Sequence, residues 1–176
     1  MWRKVEDILK PDDRFDNMCR GIDLQLGPVP VGIQDMYRDV EPFTLGEDVP
    51  DDIRRQWDIG RNAYIYSWFE YDLMTLAEMR AFAAFELALR KKAKKENSPL
   101  NPKATLKPVV DHARKKGWLK DEDFGFIWNG AAQFPFIDAM VMQRNQLMHG
   151  NPYLSQHGTL MAFQFCFDAI QTLFPS

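Results

Sequence analysis

The chain has 176 residues, 45% of them hydrophobic and 27% charged, which is the length of one domain with room for an appended arm and a composition that excludes disorder over the whole length. Its net charge is −3, from 22 basic and 25 acidic residues, so it lacks the positive excess by which histone-like and ribosomal proteins hold phosphates non-specifically. A core can form without metal or disulfide staples at this size, and two cysteines, Cys19 and Cys166, read as the reduced thiols of an intracellular, cytoplasmic protein.

The first residues, Met-Trp-Arg-Lys-Val-Glu-Asp, lack the apolar core of a signal peptide. Residues 1–50 hold five of the eleven prolines and four of the ten glycines. That spacing leaves no helical period beyond residues 2–10, and it predicts a loop-rich arm that packs on the domain with little regular structure. The character changes at Asp51, after which there is no proline and one glycine, Gly60, up to Glu96. Residues 62–95 are rich in helix formers. Their apolar side chains cover nearly the whole circumference, which predicts a central, buried helix. It ends in a basic run containing Arg90, Lys91 and Lys94, read either as a solvated helix end that complements the macrodipole or as a phosphate-contacting patch.

Residues 97–102, Asn-Ser-Pro-Leu-Asn-Pro, break the chain. A helix is expected over 105–116, carrying His112, Arg114 and Lys115 and stopped by Gly117. Asp121, Glu122 and Asp123 open a short segment with Phe124, Phe126 and Trp128; three consecutive acids share no helix face, so they read as a cap or solvated loop, not a metal cluster. Pro135 suits the first turn of a helix that runs to His149 and stops at Gly150. A turn at Asn151 and Pro152 leads to a last helix over 158–173. The stretch between Arg144 and Asp168 contains no charged residue, but its Asn, Gln and His content is wrong for a membrane span. It reads as two buried helix segments joined by a turn. The fold class is all-α: four to five helices over 51–176 behind the arm of residues 1–50, with no sheet of three or more strands.

No dinucleotide fingerprint, phosphate loop, zinc-protease motif, paired-cysteine motif or nucleophile elbow occurs, and no cofactor or metal is expected. His112 and His157 read as a surface residue and a loop residue. His149 differs, because it closes the run Gln143-Arg144-Asn145-Gln146-Leu147-Met148-His149-Gly150. Arginine, a polar residue, three further residues and then histidine at a helix end resembles the motif of the HEPN superfamily. The stretch 81–90, with Glu86-x-Ala88-Leu89-Arg90, resembles the early core helix of these domains. Gly117-Trp118-Leu119 resembles the step that follows their next helix, and Leu173-Phe174 closes a hydrophobic helix as in many relatives. The resemblance covers roughly residues 60–175.

It implies a helical bundle that dimerises with the motif helices facing each other. It also implies one of two activities: a metal-independent ribonuclease, found among toxins, phage-defence effectors and RNA-processing factors, or a non-catalytic module that binds a nucleotide or a partner protein. Some toxin members carry a tyrosine two residues after the histidine, modified by a nucleotidyltransferase antitoxin. Here that position is Asn151, and the nearest tyrosine is Tyr153.

The residues support a mechanism of their own. With Arg144 set at zero, Asn145 falls near about 100°, His149 near about 140° and Asp138 near about 120° on a helix of 3.6 residues per turn, which makes one polar stripe. Met142 falls inside that stripe, near about 160°, and an apolar residue there predicts cover by a second subunit. Arg144 projects from the apolar side, where an unpaired guanidinium is costly, and Glu78 and Glu86 on the central helix are its available partners. It is either half of a buried Arg–Glu brace, with His149 closing the helix, or a catalytic group. In the catalytic reading the RNA's own 2′-hydroxyl attacks the phosphorus. Histidine serves the proton steps, the arginine fork serves the phosphoryl oxygens, and Asn145 orients the imidazole or donates to the phosphate. One motif supplies one histidine and a two-fold homodimer supplies two. The candidate residues are therefore Arg144, Asn145 and His149, supported by Glu86, Glu78 and Asp138, with Arg90, Lys91, Lys94, Arg114 and Lys115 as weaker RNA contacts.

Overall fold

Proline and glycine punctuate the arm without leaving it irregular. The computed structural model describes residues 3–101, 103–129, 132–150 and 154–175, and the arm forms two 3₁₀ turns (Val5–Asp7 and Asp13–Phe15), a hairpin of β1 (Cys19–Asp23) with β2 (Gly27–Pro30), and helix α1 (Ile33–Val40). The hairpin turn is set locally: the Asp23 carboxylate accepts from the Gln25 and Leu26 N–H groups at 2.8 and 2.9 Å, and Gly27 takes φ +85°. At α1, the Asp35 carboxylate accepts from the Gly32 N–H at 2.9 Å, and Met36 and Val40, one turn apart, are buried. Two apolar positions in eight residues are too few to show as a period. The expectation of little regular structure is thus corrected, and the helical period at residues 2–10 reduces to one 3₁₀ turn.

Side-chain donors on the domain hold the arm. Trp57 Nε1 donates to the Phe43 carbonyl at 2.7 Å, Trp68 Nε1 to Val31 at 3.1 Å and Arg61 Nε to Val40 at 3.1 Å. Tyr64 donates to Asp39 at 2.8 Å, and Gln156 donates to the same carboxylate oxygen at 2.9 Å.

The long helical run is two helices, α2 (Asp51–Tyr66) and α3 (Leu73–Lys95). The break at residues 67–72 is stabilised by the arm: Asp12 N–H donates to the Trp68 carbonyl at 2.9 Å, and the Asp12 carboxylate accepts from the Tyr71 N–H at 3.0 Å. Gly60 lets the two helices lie close, since a Cβ there would sit 3.1 Å from Arg80 Cβ and 3.2 Å from the Ala77 carbonyl. Asn97, at φ +49°, ends α3. Helix α4 (Leu106–Lys115) follows, with Leu106, Val109, Val110 and Ala113 buried at helical spacing and Gly117 at φ +70° beyond its end.

The acidic triplet forms the single turn α5 (Asp121–Phe124). It leads into a second hairpin, β3 (Phe126–Asn129) with β4 (Ala132–Pro135), which four-residue strands leave invisible to periodicity. Pro135 caps α6 (Phe136–Met148), and α7 (Gln156–Leu173) closes the described chain. The Asn151–Pro152 turn and Tyr153 lie outside the described residues.

The fold is mostly helical, with five helices of ten or more residues after Asp51 and only two-stranded sheets among the described residues. No helix among them is long and apolar enough to cross a membrane. Helix α3 is the axis of the core. Met74, Ala81, Phe85 and Leu89 are fully covered, Phe85 meets Phe165 of α7 edge-on at 5.3 Å, and Trp57 and Tyr64 of α2 both meet Phe163 edge-on. One expectation fails on this helix. It is not buried all round, because Leu76 and Met79 remain 39% and 36% exposed.

Candidate functional site

Helix α6 sets the phase of the motif. Ile137, Met140, Val141 and Leu147 are buried, which leaves Arg144 at the edge of the apolar face and turns Asn145 and His149 to solvent. Of the two glutamates open to Arg144, Glu86 is the partner: Arg144 Nη2 donates to its Oε2 at 3.1 Å, with the two side chains 26% and 21% exposed. The other oxygen of Glu86 accepts from Arg90 Nη2 at 2.7 Å, so one carboxylate spans two guanidinium groups. Arg144 Nη1 donates to Asn145 Oδ1 at 3.3 Å. His149 is the C-cap of α6, with its N–H bonded to the Asn145 carbonyl at 3.2 Å and Gly150 beyond it at φ +75°. Its imidazole is exposed and has no hydrogen-bond partner among the described residues.

Glu78 has another use. It is buried and accepts from Thr159 Oγ1 of α7 at 2.7 Å and from Gln143 Nε2 of α6 at 3.0 Å. Burial pushes its carboxyl above the ordinary range, and the two donors oppose that push. Asp138 shares the stripe of Asn145 and His149 but lies seven residues before Asn145, about 10 Å along the axis. It faces α4, where Arg114 Nη1 donates to it at 2.8 Å and Lys107 Nζ lies 3.3 Å away. Burial would raise its pKa, and these two cations more than reverse that, leaving it lowered.

The basic candidates divide in the same way. Arg114 is committed to Asp121 and Asp138, Lys91 to Asp52 and Arg90 to Glu86. Lys94 and Lys115 are exposed and have no ion pair among the described residues. His112 is half-buried, not a plain surface residue: Ser98 Oγ lies 2.6 Å from its Nε2 and Trp118 packs edge-on against it. Cys166 is buried among core residues, and that burial drives its thiol well up.

Beside the Arg144–Glu86 pair runs a groove of about 340 Å³ between α3 and α6. Its walls are Leu76, Met79, Phe82, Leu147 and Met148. Its polar members are Arg144, Glu86 and Arg80. Sequence reasoning missed Arg80, whose one signal is a charge on a nearly all-apolar helix, and it missed Gln143, which neighbours Arg144 and anchors α6 to Glu78. No group of three or more His, Cys, Asp or Glu among the described residues could hold a metal ion. Chemically, the site offers a guanidinium whose carboxylate can be exchanged for a phosphate, an adjacent amide and an exposed imidazole. Compared with protein-family models, curated proteins and solved structures, the chain matches none.

Proposed function

We propose that this chain is a HEPN-type, metal-independent endoribonuclease, active as a homodimer in the cytoplasm, of the kind that serves as a toxin or phage-defence effector. The observation that carries the reading is the end of α6: Arg144 is half-exposed at a groove, and Asn145 and His149 are presented to solvent within five residues of it. In the reaction the RNA 2′-hydroxyl attacks the adjacent phosphorus. The O2′–P bond forms, the P–O5′ bond breaks, and the products carry a 2′,3′-cyclic phosphate and a 5′-hydroxyl. One imidazole takes the 2′-hydroxyl proton and a second protonates O5′. His149 and the partner's His149 fill these roles across a two-fold axis. Arg144 leaves Glu86 for the phosphoryl oxygens, whose charge rises as the phosphorane forms. Met142, 54% exposed within the polar stripe, supports a covered, dimeric face.

A second reading has its own support. The Arg144–Glu86 pair with His149 as helix cap is also what a non-catalytic HEPN-like module, binding a nucleotide or a partner such as an antitoxin, would retain as a brace. Cleavage of single-stranded RNA separates the two. Arg144→Ala and His149→Ala should each reduce cleavage by about 10²–10⁴-fold with unchanged far-UV circular dichroism. Products should carry the cyclic phosphate, and EDTA should have no effect. Cleavage that survives His149→Ala, or that stops with EDTA, rejects the enzyme and favours the module.

A further inference from the structure

We propose that the groove between α3 and α6 is a nucleotide subsite in which Arg80 holds an RNA phosphate and the apolar wall takes the base next to it. This rests on the RNA reading above and adds a binding group outside the Arg144–His149 motif.

The charges in the groove are not balanced. Glu86 is its one carboxylate, and both of its oxygens are already occupied, by Arg144 and Arg90. Arg80 is held by a neutral group: its Nη1 donates to Gln56 Oε1 at 2.8 Å, and no carboxylate lies within 4.0 Å of it among the described residues. A guanidinium carries five N–H donors, so most of its fork remains for an anion. The side chain is also pre-placed. Gln56 of α2 fixes one nitrogen, and α2 lies so close at Gly60 that a Cβ there would sit 3.1 Å from Arg80 Cβ, so less rotamer freedom is lost on binding. Arg80 lies six residues before Glu86 on α3, about 9 Å along the axis, so a strand whose scissile phosphate meets Arg144 passes Arg80 next.

The wall suits a flat ring. Leu76, Met79 and Met148 are 39%, 36% and 54% exposed around the buried Phe82, and thioethers adapt to aromatic faces. The volume is at the low end for small-ligand sites, a size that suits one nucleotide. An excess of arginine over carboxylate in a chain of net charge −3 selects a polyanion with an apolar ring over an acidic or purely apolar peptide.

The test uses the full-length His149→Ala protein, which should bind RNA without cutting it, and a fluorescent single-stranded 12-mer read by anisotropy across salt concentrations. Adding Arg80→Gln should weaken binding and flatten the dependence of log affinity on log salt by about 0.7, the loss of one single-strand phosphate contact. Arg80→Lys should restore the slope. An abasic substitution should cost affinity with Met79 present and cost little after Met79→Ala. RNA binding with an unchanged slope in Arg80→Gln overturns the subsite and leaves the RNA reading standing. No RNA binding by any form overturns both. A shift of Arg80→Gln from dimer to monomer in sedimentation without a change in slope assigns the groove to a second copy of the chain and also overturns the subsite.

Discussion

Glu78 and Glu86 stand two turns apart on α3 and are put to opposite uses. Glu86 sits at the edge and is satisfied by cations, whereas Glu78 is 1% exposed and is satisfied by neutral donors. The consequence is a sign. An unfolded glutamate titrates near about 4.3, and Glu78 in the folded chain titrates higher because burial disfavours its charge. Between those two values the folded state holds more protons, so the contribution of Glu78 to stability is full below about pH 4.3 and is lost as pH rises through its folded value. Glu78→Gln keeps an acceptor for one donor and removes the buried charge. Its melting temperature should exceed that of the wild type at pH 8, and the gap should narrow as the pH falls toward the ordinary glutamate range. A variant that is less stable at both pH values would show that the carboxylate, not its shape, holds α6 and α7 to α3.

At the scale of the elements, the close approach of α2 to α3 decides how Arg80 is held. Alanine in place of glycine inside an exposed helix is worth about 0.8–1.0 kcal/mol. At Gly60 that gain meets the Ala77 carbonyl at 3.2 Å and Arg80 Cβ at 3.1 Å, both fixed to the body of α3. Gly60→Ala should therefore fail to stabilise, and Gly60→Leu should destabilise by about 1–3 kcal/mol through overpacking. Urea denaturation measures both. A Gly60→Ala protein about 1 kcal/mol more stable than wild type would mean that α2 moves away without cost. The helix break at 67–72 is also a matter between elements. Asp12, whose carboxyl is held far below the usual range first of all by the Arg14 guanidinium, takes up the Trp68 carbonyl and the Tyr71 N–H within it, and Arg14 in turn reaches Asp72 at 2.7 Å and lies over the Tyr71 ring at 4.6 Å.

For the whole molecule, the uncovered apolar side chains near the motif are the guide to assembly. Met142, which lies outside the α3–α6 groove, is 54% exposed on a helix whose other large apolar residues, apart from Met148 at the groove, are mostly covered. The chain should sediment as a dimer at micromolar concentration. Met142→Glu, which puts a charge into the face predicted to meet its partner, should raise the dissociation constant at least about tenfold and lower RNA cleavage with it. A wild-type monomer at these concentrations would remove the composite cleft from the mechanism.

Hydrophobic period and punctuation were enough, in the sequence alone, for the helices over 105–116, from Pro135 to His149 and over 158–173, and for the helix stop at Gly150. These depend on local spacing and on the backbone freedom of glycine and proline, which are properties of neighbours in the chain. The relative placement of Arg144, Asn145 and His149 was legible for the same reason, since a separation of five residues on one helix fixes their angles. Where the long helical run breaks, that α1 exists, that Arg144 takes Glu86 and not Glu78, and that Asp138 turns to Arg114 were decided only by tertiary contacts. Helix propensity over 62–95 does not register an Asp12 that arrives from some 55 residues away. Two glutamates on one apolar helix look alike until α7 places Thr159 beside one of them and leaves the other at the edge. Arg80 became a candidate only when folding left it facing a groove whose single carboxylate was already taken.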